Sequence, residues 1–264
     1  MRLTKEVLKI DAEKVKNKIC RLISEYIEKS GASGAVVCLS GGVDSSLTCF
    51  LTTEALGADR VFGLALPERG VTEERDVNDA LRVAKMLGVR CDVIDITDIV
   101  RAFYRAIPVY VSDDLVSGGN VKARVRMTVA YYYANRFNLI VVGSGNKSEL
   151  MVGYFTKYGD GGVDILPIGD LYKTQVRQLA LHVGVPEDIV WKTPSAGLWV
   201  GQTDEGELGV TYDVLDLMLY GFEHGMTAEE IAKELQVPVG KVLEVLDRVR
   251  RSGHKRQPPI IFKI

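Results

Sequence analysis

The chain contains few of the residues that build disulfide frameworks or histidine metal sites, since its 264 residues include four cysteines and three histidines. The cysteines are scattered without metal-ligand spacing, and three lie in apolar segments, so we expect reduced core thiols. No apolar run approaches the ~20 residues that cross a bilayer, and no signal peptide is visible. With a formal net charge of −2, the chain also lacks the basic excess of a nucleic-acid-binding protein. These absences predict a cytoplasmic globular protein without membrane or nucleic-acid partners.

The most informative motif, residues 40–46, lacks the lysine that completes the common Gly-Lys-Ser/Thr phosphate-binding loop. It reads Ser-Gly-Gly-Val-Asp-Ser-Ser and follows the apolar run 35–39. Paired glycines let a ligand approach the backbone, and free N–H groups at a helix start attract phosphate. Because Asp44 would repel phosphate unless a cation lies between them, the motif predicts a nucleotide bound with Mg²⁺. No histidine base accompanies Ser45 and Ser46, so we interpret them as phosphate hydrogen-bond donors rather than nucleophiles.

Strand-like and helix-like patterns alternate along the first half of the chain. Apolar runs predict strands at 35–39, 61–66, 91–96 and 139–143. Amphipathic patterns predict helices at 11–30, 45–56, 73–87, 97–106 and 121–137. The alternation predicts an α/β protein with a three-layer α/β/α fold and a central parallel sheet, similar to the Rossmann fold. In such folds the ligands bind at the carboxyl ends of the strands.

The second half of the chain contains two glycine-rich loops and a helical end. Loops 156–164 and 193–205 are expected to cover a bound ligand, although each is also consistent with a plain surface connection. Residues 212–264 form a C-terminal helical part, in which Thr227 and Glu230 predict a capping box. The helix pair there also matches a helix-turn-helix, which would make the protein an ATP-sensing DNA-binding regulator. Acidic residues in the second helix favour a helical hairpin packed on the core.

Charged residues at two further points are candidates for ligand contacts. Lys122, Arg124 and Arg126 lie in the first turns of a predicted helix, where cations oppose the helix dipole. This arrangement indicates an anionic substrate, the alternative being a solvated basic face. Glu149 follows another predicted strand and is either a helix-start carboxylate or, together with Asp44, one of two protein ligands of Mg²⁺.

Residues 40–46 resemble the pyrophosphate loop of the N-type ATP pyrophosphatases, which cleave ATP between its α and β phosphates. Within that group the chain resembles the ammonia-dependent NAD⁺ synthetases along nearly its whole length. The most specific matching block reads Phe-Thr-Lys-Tyr-Gly-Asp-Gly-Gly, because the other ATP pyrophosphatases lack it. The resemblance implies one NAD⁺ synthetase domain over 1–264, with 212–264 as its helical C-terminal part. The matching blocks, in order, are 40–46, 120–127, 143–149, 153–164, 171–173 and 254–256.

The resemblance also implies roles for individual residues. It implies that Asp44 and Glu149 hold Mg²⁺ and that Asp44, Lys173 and Asp164 take part in catalysis. The implied ATP contacts are Ser40, Gly41, Gly42, Val43, Asp44, Ser45, Ser46, Ser144, Lys173 and Ser195. The implied deamido-NAD⁺ contacts are Arg124, Lys157, Asp164, His254 and Lys255.

The implied reaction uses ATP, deamido-NAD⁺ and ammonia. The nicotinate carboxylate attacks the α-phosphorus of ATP and releases pyrophosphate, and ammonia then displaces AMP from the acyl-adenylate to give NAD⁺. Ammonium has to lose a proton, for which Asp160 and Asp164 are candidates. The resemblance further implies a homodimer. The apolar stripes at 15–27 and 121–137 fit either dimer contacts or packing on the sheet.

The length of chain before the first predicted strand bears on the source of nitrogen. It is about 35 residues, fewer than a typical glutaminase domain needs. We therefore expect no glutaminase domain, so that free ammonia or a separate glutaminase subunit supplies the nitrogen. The competing interpretation is another ATP pyrophosphatase, either the synthetase domain of an amidotransferase or a tRNA-modifying enzyme.

Overall fold

The structure is a computed structural model that describes residues 2–263. A four-stranded parallel sheet lies at its centre. In register, Val36 lies opposite Phe62 on one side and Val141 on the other. An isolated parallel bridge between Val142 and Ile165 extends this sheet at one edge. The predicted parallel α/β sheet is therefore confirmed. The strands are Gly34–Cys38 (β1), Val61–Ala65 (β2), Arg90–Val93 (β3) and Leu139–Val142 (β4), in the spatial order β3-β2-β1-β4.

The helices follow the predicted pattern, and four of the five predicted ones begin within two residues of the observed start. Short 3₁₀ helices occupy Lys5–Leu8, Ala58–Arg60 and Ser252–Arg256. The α-helices are α1 (Ala12–Ser30), α2 (Val43–Leu56), α3 (Glu74–Leu87), α4 (Thr97–Ala106), α5 (Leu115–Phe137), α6 (Lys147–Val152), α7 (Lys173–Val183), α8 (Glu187–Val190), α9 (Asp204–Leu208), α10 (Tyr212–Glu223), α11 (Ala228–Leu235) and α12 (Val239–Arg251).

The predicted start of α5 at residue 121 is wrong, because the helix begins six residues earlier at Leu115. Asp114 caps it, and its side chain accepts a hydrogen bond from the backbone N–H of Ser117 at 2.9 Å. The helix continues through Gly118 and Gly119. Glycine leaves room for a neighbouring side chain here, because a Cβ at Gly119 would lie 3.1 Å from Leu198. The basic residues from Lys122 onward consequently lie in the interior of the helix. They therefore do not oppose the helix dipole at the start of α5, contrary to the prediction.

Helices cover both faces of the sheet, as the three-layer fold requires. On β1, Ala35 and Val37 point into a core formed with α1, α2, α3 and α7. Val36 points to the opposite face, where α4 and α5 pack. All three side chains are fully buried, and complete burial of a valine side chain stabilises the fold by about 1.5–3 kcal/mol. Burial on both faces explains why β1 reads as a continuous apolar run.

The C-terminal helices form a third core with α6 and the N-terminal 3₁₀ helix. The predicted capping box is confirmed: Thr227 Oγ1 accepts from the N–H of Glu230, and the Thr227 N–H donates to the Glu230 carboxylate. Ile231 of α11 and Val242 of α12 are fully buried in this core. Their burial supports a helical hairpin packed on the domain. Among residues 2–263, no helix is both long and apolar enough to span a membrane.

Candidate active site

The strand order brings residues 40–46 and residues 143–149 to the same edge of the sheet. The chain crosses from β1 to β2 on one side and returns to β4 on the other, so the carboxyl ends of β1 and β4 flank a point where the strand order reverses. Ligands of open α/β sheets bind at such points. Residues 40–46 follow β1 and residues 143–149 follow β4. The two segments therefore face one crevice.

The backbone of the 40–46 loop is held by its own serines. Ser45 Oγ donates to the carbonyl of Gly42 at 3.2 Å and lies 3.1 Å from Ser40 Oγ, while Ser46 Oγ donates to the same carbonyl at 2.8 Å. Gly41 has φ +79°, and a Cβ there would lie 2.2 Å from the carbonyl oxygen of Asp76 in α3. Only glycine fits this turn, which presses the loop against α3.

Gly41→Ala is expected to destabilise the protein more than Gly31→Ala. Both glycines have positive φ, +79° and +70°, so alanine costs about 1–2 kcal/mol at either position. Nothing lies within 4 Å of a Cβ at Gly31, whereas the contact with Asp76 adds roughly 1–3 kcal/mol of overpacking at Gly41. Urea unfolding measures both variants. Equal losses would contradict the close packing of the loop on α3.

An ammonium and two carboxylates meet in the crevice. Lys173, the first residue of α7, donates from Nζ to Asp44 Oδ2 of α2 and, at 3.3 Å, to Glu149 Oε1 of α6. Asn146 joins them, since its Nδ2 donates to Asp44 Oδ1 at 2.9 Å and its Oδ1 accepts from the Glu149 N–H at 3.0 Å. Asp44, Glu149 and Lys173 thus lie together, as predicted. Asn146 was missed, because a helix-capping asparagine gives no sequence signal of such a contact.

Burial and mutual charge shift the pKa values of Glu149 and Lys173 in this cluster. Desolvation raises the pKa of Glu149 to about 8, with the neighbouring carboxylates of Asp44 and Asp204 adding to the effect. Burial alone would lower the pKa of Lys173, but Asp44 and Glu149 reverse this and raise it. The cluster therefore has an excess of negative charge that a proton or a cation can neutralise. Two carboxylates beside a phosphate-type loop fit the oxygen ligands and the low number of protein donors typical of Mg²⁺.

The backbone at Lys173 is fixed by hydrogen bonds to residues that the sequence did not indicate as part of the site. Its backbone N–H donates to Ser148 Oγ at 3.0 Å, and Ser148 Oγ donates to Asp216 of α10 at 2.5 Å. Asp216 also accepts from the N–H of Thr174 at 2.7 Å, so it caps α7 from a neighbouring helix. Tyr212 of α10 places its ring centroid 5.0 Å from Lys173 Nζ. In sequence, Asp216 is one acidic residue in an apolar helix, and only the packing of α10 on α7 reveals its contact.

A second group of predicted residues forms beside the middle of α5. Arg124 donates to the backbone carbonyl of Lys157 at 3.2 and 3.3 Å, and Lys157 Nζ donates to the carbonyl of His254 at 2.8 Å. Lys255 Nζ donates to the carbonyls of Gly153 and Phe155, each at 2.7 Å. Three of the five residues predicted to bind deamido-NAD⁺, Arg124, Lys157 and His254, are therefore joined by direct contacts, and Lys255 follows His254 in the chain.

Three predicted residues take no part in the contacts described above. Asp164 is exposed and accepts from the backbone N–H of Val141 at 2.8 Å and from Tyr131 OH at 3.0 Å. Ser195 is exposed within loop 193–205, where its hydroxyl donates to the Gln202 carbonyl at 2.8 Å. Ser144 follows β4 and is half-buried.

A parallel sheet with a glycine-paired loop and clustered charges at its switch point is typical of nucleotide-binding α/β proteins. The chain belongs to the NAD synthase family, whose model matches residues 15–259. The NH(3)-dependent NAD(+) synthetase of Hyperthermus butylicus is 52% identical over 98% of this chain and 94% of its own length. The structure of NMN synthetase from Francisella tularensis has a TM-score of 0.85 at 35% identity, covering 97% of this chain and all of that one. The NH3-dependent NAD synthetase of Campylobacter jejuni has a TM-score of 0.81 at 30% identity, covering 97% and 100%.

Proposed function

We propose that the protein is an ammonia-dependent NAD⁺ synthetase that amidates deamido-NAD⁺ at the expense of ATP, the final step of NAD⁺ biosynthesis. The observation that carries the proposal is the ammonium of Lys173 bracketed by Asp44 and Glu149 beside the 40–46 loop. Membership of the NAD synthase family supports it. A cluster of fixed charges suits a reaction in which two anionic substrates must be brought together.

The crevice between β1 and β4 is the proposed ATP site. The loop residues Ser40, Gly41, Gly42, Val43, Ser45 and Ser46 would surround the phosphates, and Ser144, Lys173 and Ser195 would complete the contacts. Asp44 and Glu149 would hold Mg²⁺, which when bound neutralises the phosphate charge. Lys173 adds a positive charge that is fixed in place before ATP arrives, because its backbone is tied to Ser148.

The cluster around α5 is the proposed deamido-NAD⁺ site. Arg124, Lys157, His254 and Lys255 supply cations and hydrogen-bond donors for a dinucleotide that carries two phosphates and a nicotinate carboxylate. Asp164, held by Val141 and Tyr131, would accept hydrogen bonds from the same substrate. The short contacts between these residues suggest that the site is largely assembled before the substrate binds.

In the proposed reaction, an oxygen of the nicotinate carboxylate forms a bond to the α-phosphorus while the bond to the β-phosphate oxygen breaks, and pyrophosphate leaves. Ammonium then transfers a proton to a carboxylate, for which we propose Asp164, and the free ammonia attacks the acyl carbon. The carbon–oxygen bond to AMP breaks with its electrons remaining on the phosphate oxygen of AMP, and the nitrogen loses a further proton to water to give the amide. Lys173 stabilises the charge that builds on the phosphates.

The remaining proposals concern organisation. We propose one domain over 1–264, because α10 of the C-terminal part supplies Asp216 and Tyr212 to the proposed ATP site. A homodimer is supported by exposed apolar side chains on α1 and α5, among them Leu22 and Tyr132. The buried positions of both stripes, in contrast, pack on the sheet and neighbouring helices. We also propose a cytoplasmic location, with free ammonia or a separate glutaminase subunit as nitrogen source.

The purified protein is expected to convert deamido-NAD⁺, ATP and ammonium into equal amounts of NAD⁺ and AMP in the presence of Mg²⁺. A coupled dehydrogenase reads out NAD⁺, and chromatography quantifies AMP and pyrophosphate. Omitting ammonium or deamido-NAD⁺ provides the controls. Pyrophosphate release only with a different acceptor, or formation of NMN instead of NAD⁺, would replace the proposed function by that of another ATP pyrophosphatase.

A further inference from the structure

Lys192 connects the 40–46 loop to the base of loop 193–205. Its Nζ donates to the backbone carbonyl of Gly41 at 3.0 Å, to Asp76 Oδ1 at 2.9 Å and to Asp79 Oδ2, both aspartates lying in α3. The side chain is 16% exposed and that of Asp79 is 7% exposed. The three N–H donors of this ammonium thus form hydrogen bonds with three acceptors from two separate parts of the fold.

The bond to Gly41 controls the direction of a peptide unit. The Gly41 carbonyl and the Gly42 N–H belong to the same planar trans peptide and therefore point in opposite directions. When Lys192 holds the carbonyl, the N–H of Gly42 points the other way, toward Ser40 Oγ at 3.4 Å. A hydrogen bond of that length is weak, so this N–H remains available to a phosphate oxygen at the start of α2.

The charge of Lys192 is already matched. Asp76 and Asp79 both lie within salt-bridge distance of its ammonium, and Arg75 and Arg82 each lie 3.7 Å from Asp79 as well. Lys173, in contrast, lies between Asp44 and Glu149, with the carboxylate of Asp204 also near Glu149. A neutralised ammonium attached to the back of the loop is suited to holding the loop in shape. It is less suited to binding phosphate directly, because all three donors are engaged.

We propose that Lys192 is a positioning residue that orients the Gly41–Gly42 peptide so that the 40–46 loop can bind the ATP phosphates. The inference rests on the proposed function in placing ATP at this loop. It adds a residue that does not itself touch the substrate. Because Lys192 directly precedes loop 193–205, it also fixes one end of that loop beside the nucleotide.

Lys192→Met is expected to weaken MgATP binding by roughly ten- to hundred-fold, because the released Gly41–Gly42 peptide can turn its N–H away from the phosphate and one hydrogen bond to a charged group is lost. The matched control is Lys16→Met, since Lys16 is 17% exposed and also contacts two carboxylates, Glu13 and Glu54, away from the crevice. Lys192→Met should lose more stability than Lys16→Met, because Asp79 is buried whereas Glu13 and Glu54 are exposed, so binding is measured where circular dichroism shows both variants folded. Calorimetry measures MgATP affinity directly, and steady-state kinetics measure KM for ATP and for deamido-NAD⁺.

A rise in KM for ATP with an unchanged KM for deamido-NAD⁺, absent from Lys16→Met, supports the proposal. Unaltered MgATP affinity in Lys192→Met overturns it. If that variant does not fold, Lys192→Arg serves instead, because it keeps the charge but places a larger planar group with a fixed donor geometry among the three acceptors. Its MgATP affinity should then lie below that of the wild type, and wild-type affinity would again overturn the proposal. Binding is measured without turnover, so a wild-type protein that binds MgATP but makes no NAD⁺ would refute the proposed function alone.

Discussion

Asp44→Asn is expected to lower kcat/KM for NAD⁺ formation by at least roughly a thousand-fold, equivalent to ~4 kcal/mol of transition-state stabilisation. The two oxygens of Asp44 accept from Asn146 Nδ2 and Lys173 Nζ at the start of α2. Asparagine keeps one acceptor oxygen and a similar shape. It removes the negative charge that a divalent cation beside the ATP phosphates requires. The loss should therefore appear in turnover far more than in folding.

The folded state should survive this substitution, because Lys173 keeps its contact with Glu149 Oε1 at 3.3 Å. One unsatisfied donor costs about 1–3 kcal/mol, which urea unfolding followed by circular dichroism can measure. Asp92→Asn is the control, since Asp92 accepts a hydrogen bond from Tyr133 at 2.9 Å on β3 and has no proposed role in the reaction. Turnover of Asp44→Asn within tenfold of the wild type would refute the role of Asp44.

The fold could be predicted largely from local patterns. β1 is buried on both faces, so it reads as an unbroken apolar run, and α4 is amphipathic from Thr97 to Ala106, where the prediction and the structure agree. The start of α5 could not be predicted, because two glycines at 118 and 119 read as a helix break. They are tolerated because Tyr104 and Leu198 pack close against them. Such tertiary contacts have no local signature.

The residues of the candidate site likewise divide into those that the sequence indicates and those that only the packing reveals. Asp44 stands out in sequence because a carboxylate inside a phosphate-type loop would repel phosphate unless a cation lies between them. Lys173 carries no such mark, and its assignment depended on the resemblance of block 171–173. Asp216 accepts a hydrogen bond from Ser148, which is 68 residues away in sequence. Asn146 donates one to Asp44, which is 102 residues away. Contacts of that kind depend on how α10 and α6 pack, which periodicity does not contain.

Lys173→Met is expected to lower kcat/KM by at least roughly a hundred-fold, equivalent to ~2.7 kcal/mol, and, unlike Asp44→Asn, to destabilise the protein strongly. The side chain of Lys173 is 3% exposed, and its removal leaves the carboxylates of Asp44 and Glu149 facing each other without a counter-charge. Breaking a buried ion pair by removing one partner costs about 3–5 kcal/mol. Protonation of Glu149, whose pKa burial already raises to about 8, would recover part of that cost.

The same reasoning predicts that Mg²⁺ without nucleotide stabilises Lys173→Met more than it stabilises the wild type, because a divalent cation can replace the missing ammonium between the two carboxylates. Urea unfolding at increasing Mg²⁺ concentration measures the difference. Lys147→Met is the matched control: Lys147 also pairs with two carboxylates, Asp170 at 3.2 Å and Glu223 at 2.9 Å, but outside the crevice. That variant should lose stability without gaining a response to Mg²⁺. An equal response in both variants would mean that Asp44 and Glu149 do not form a cation site, even if Lys173 is required for turnover.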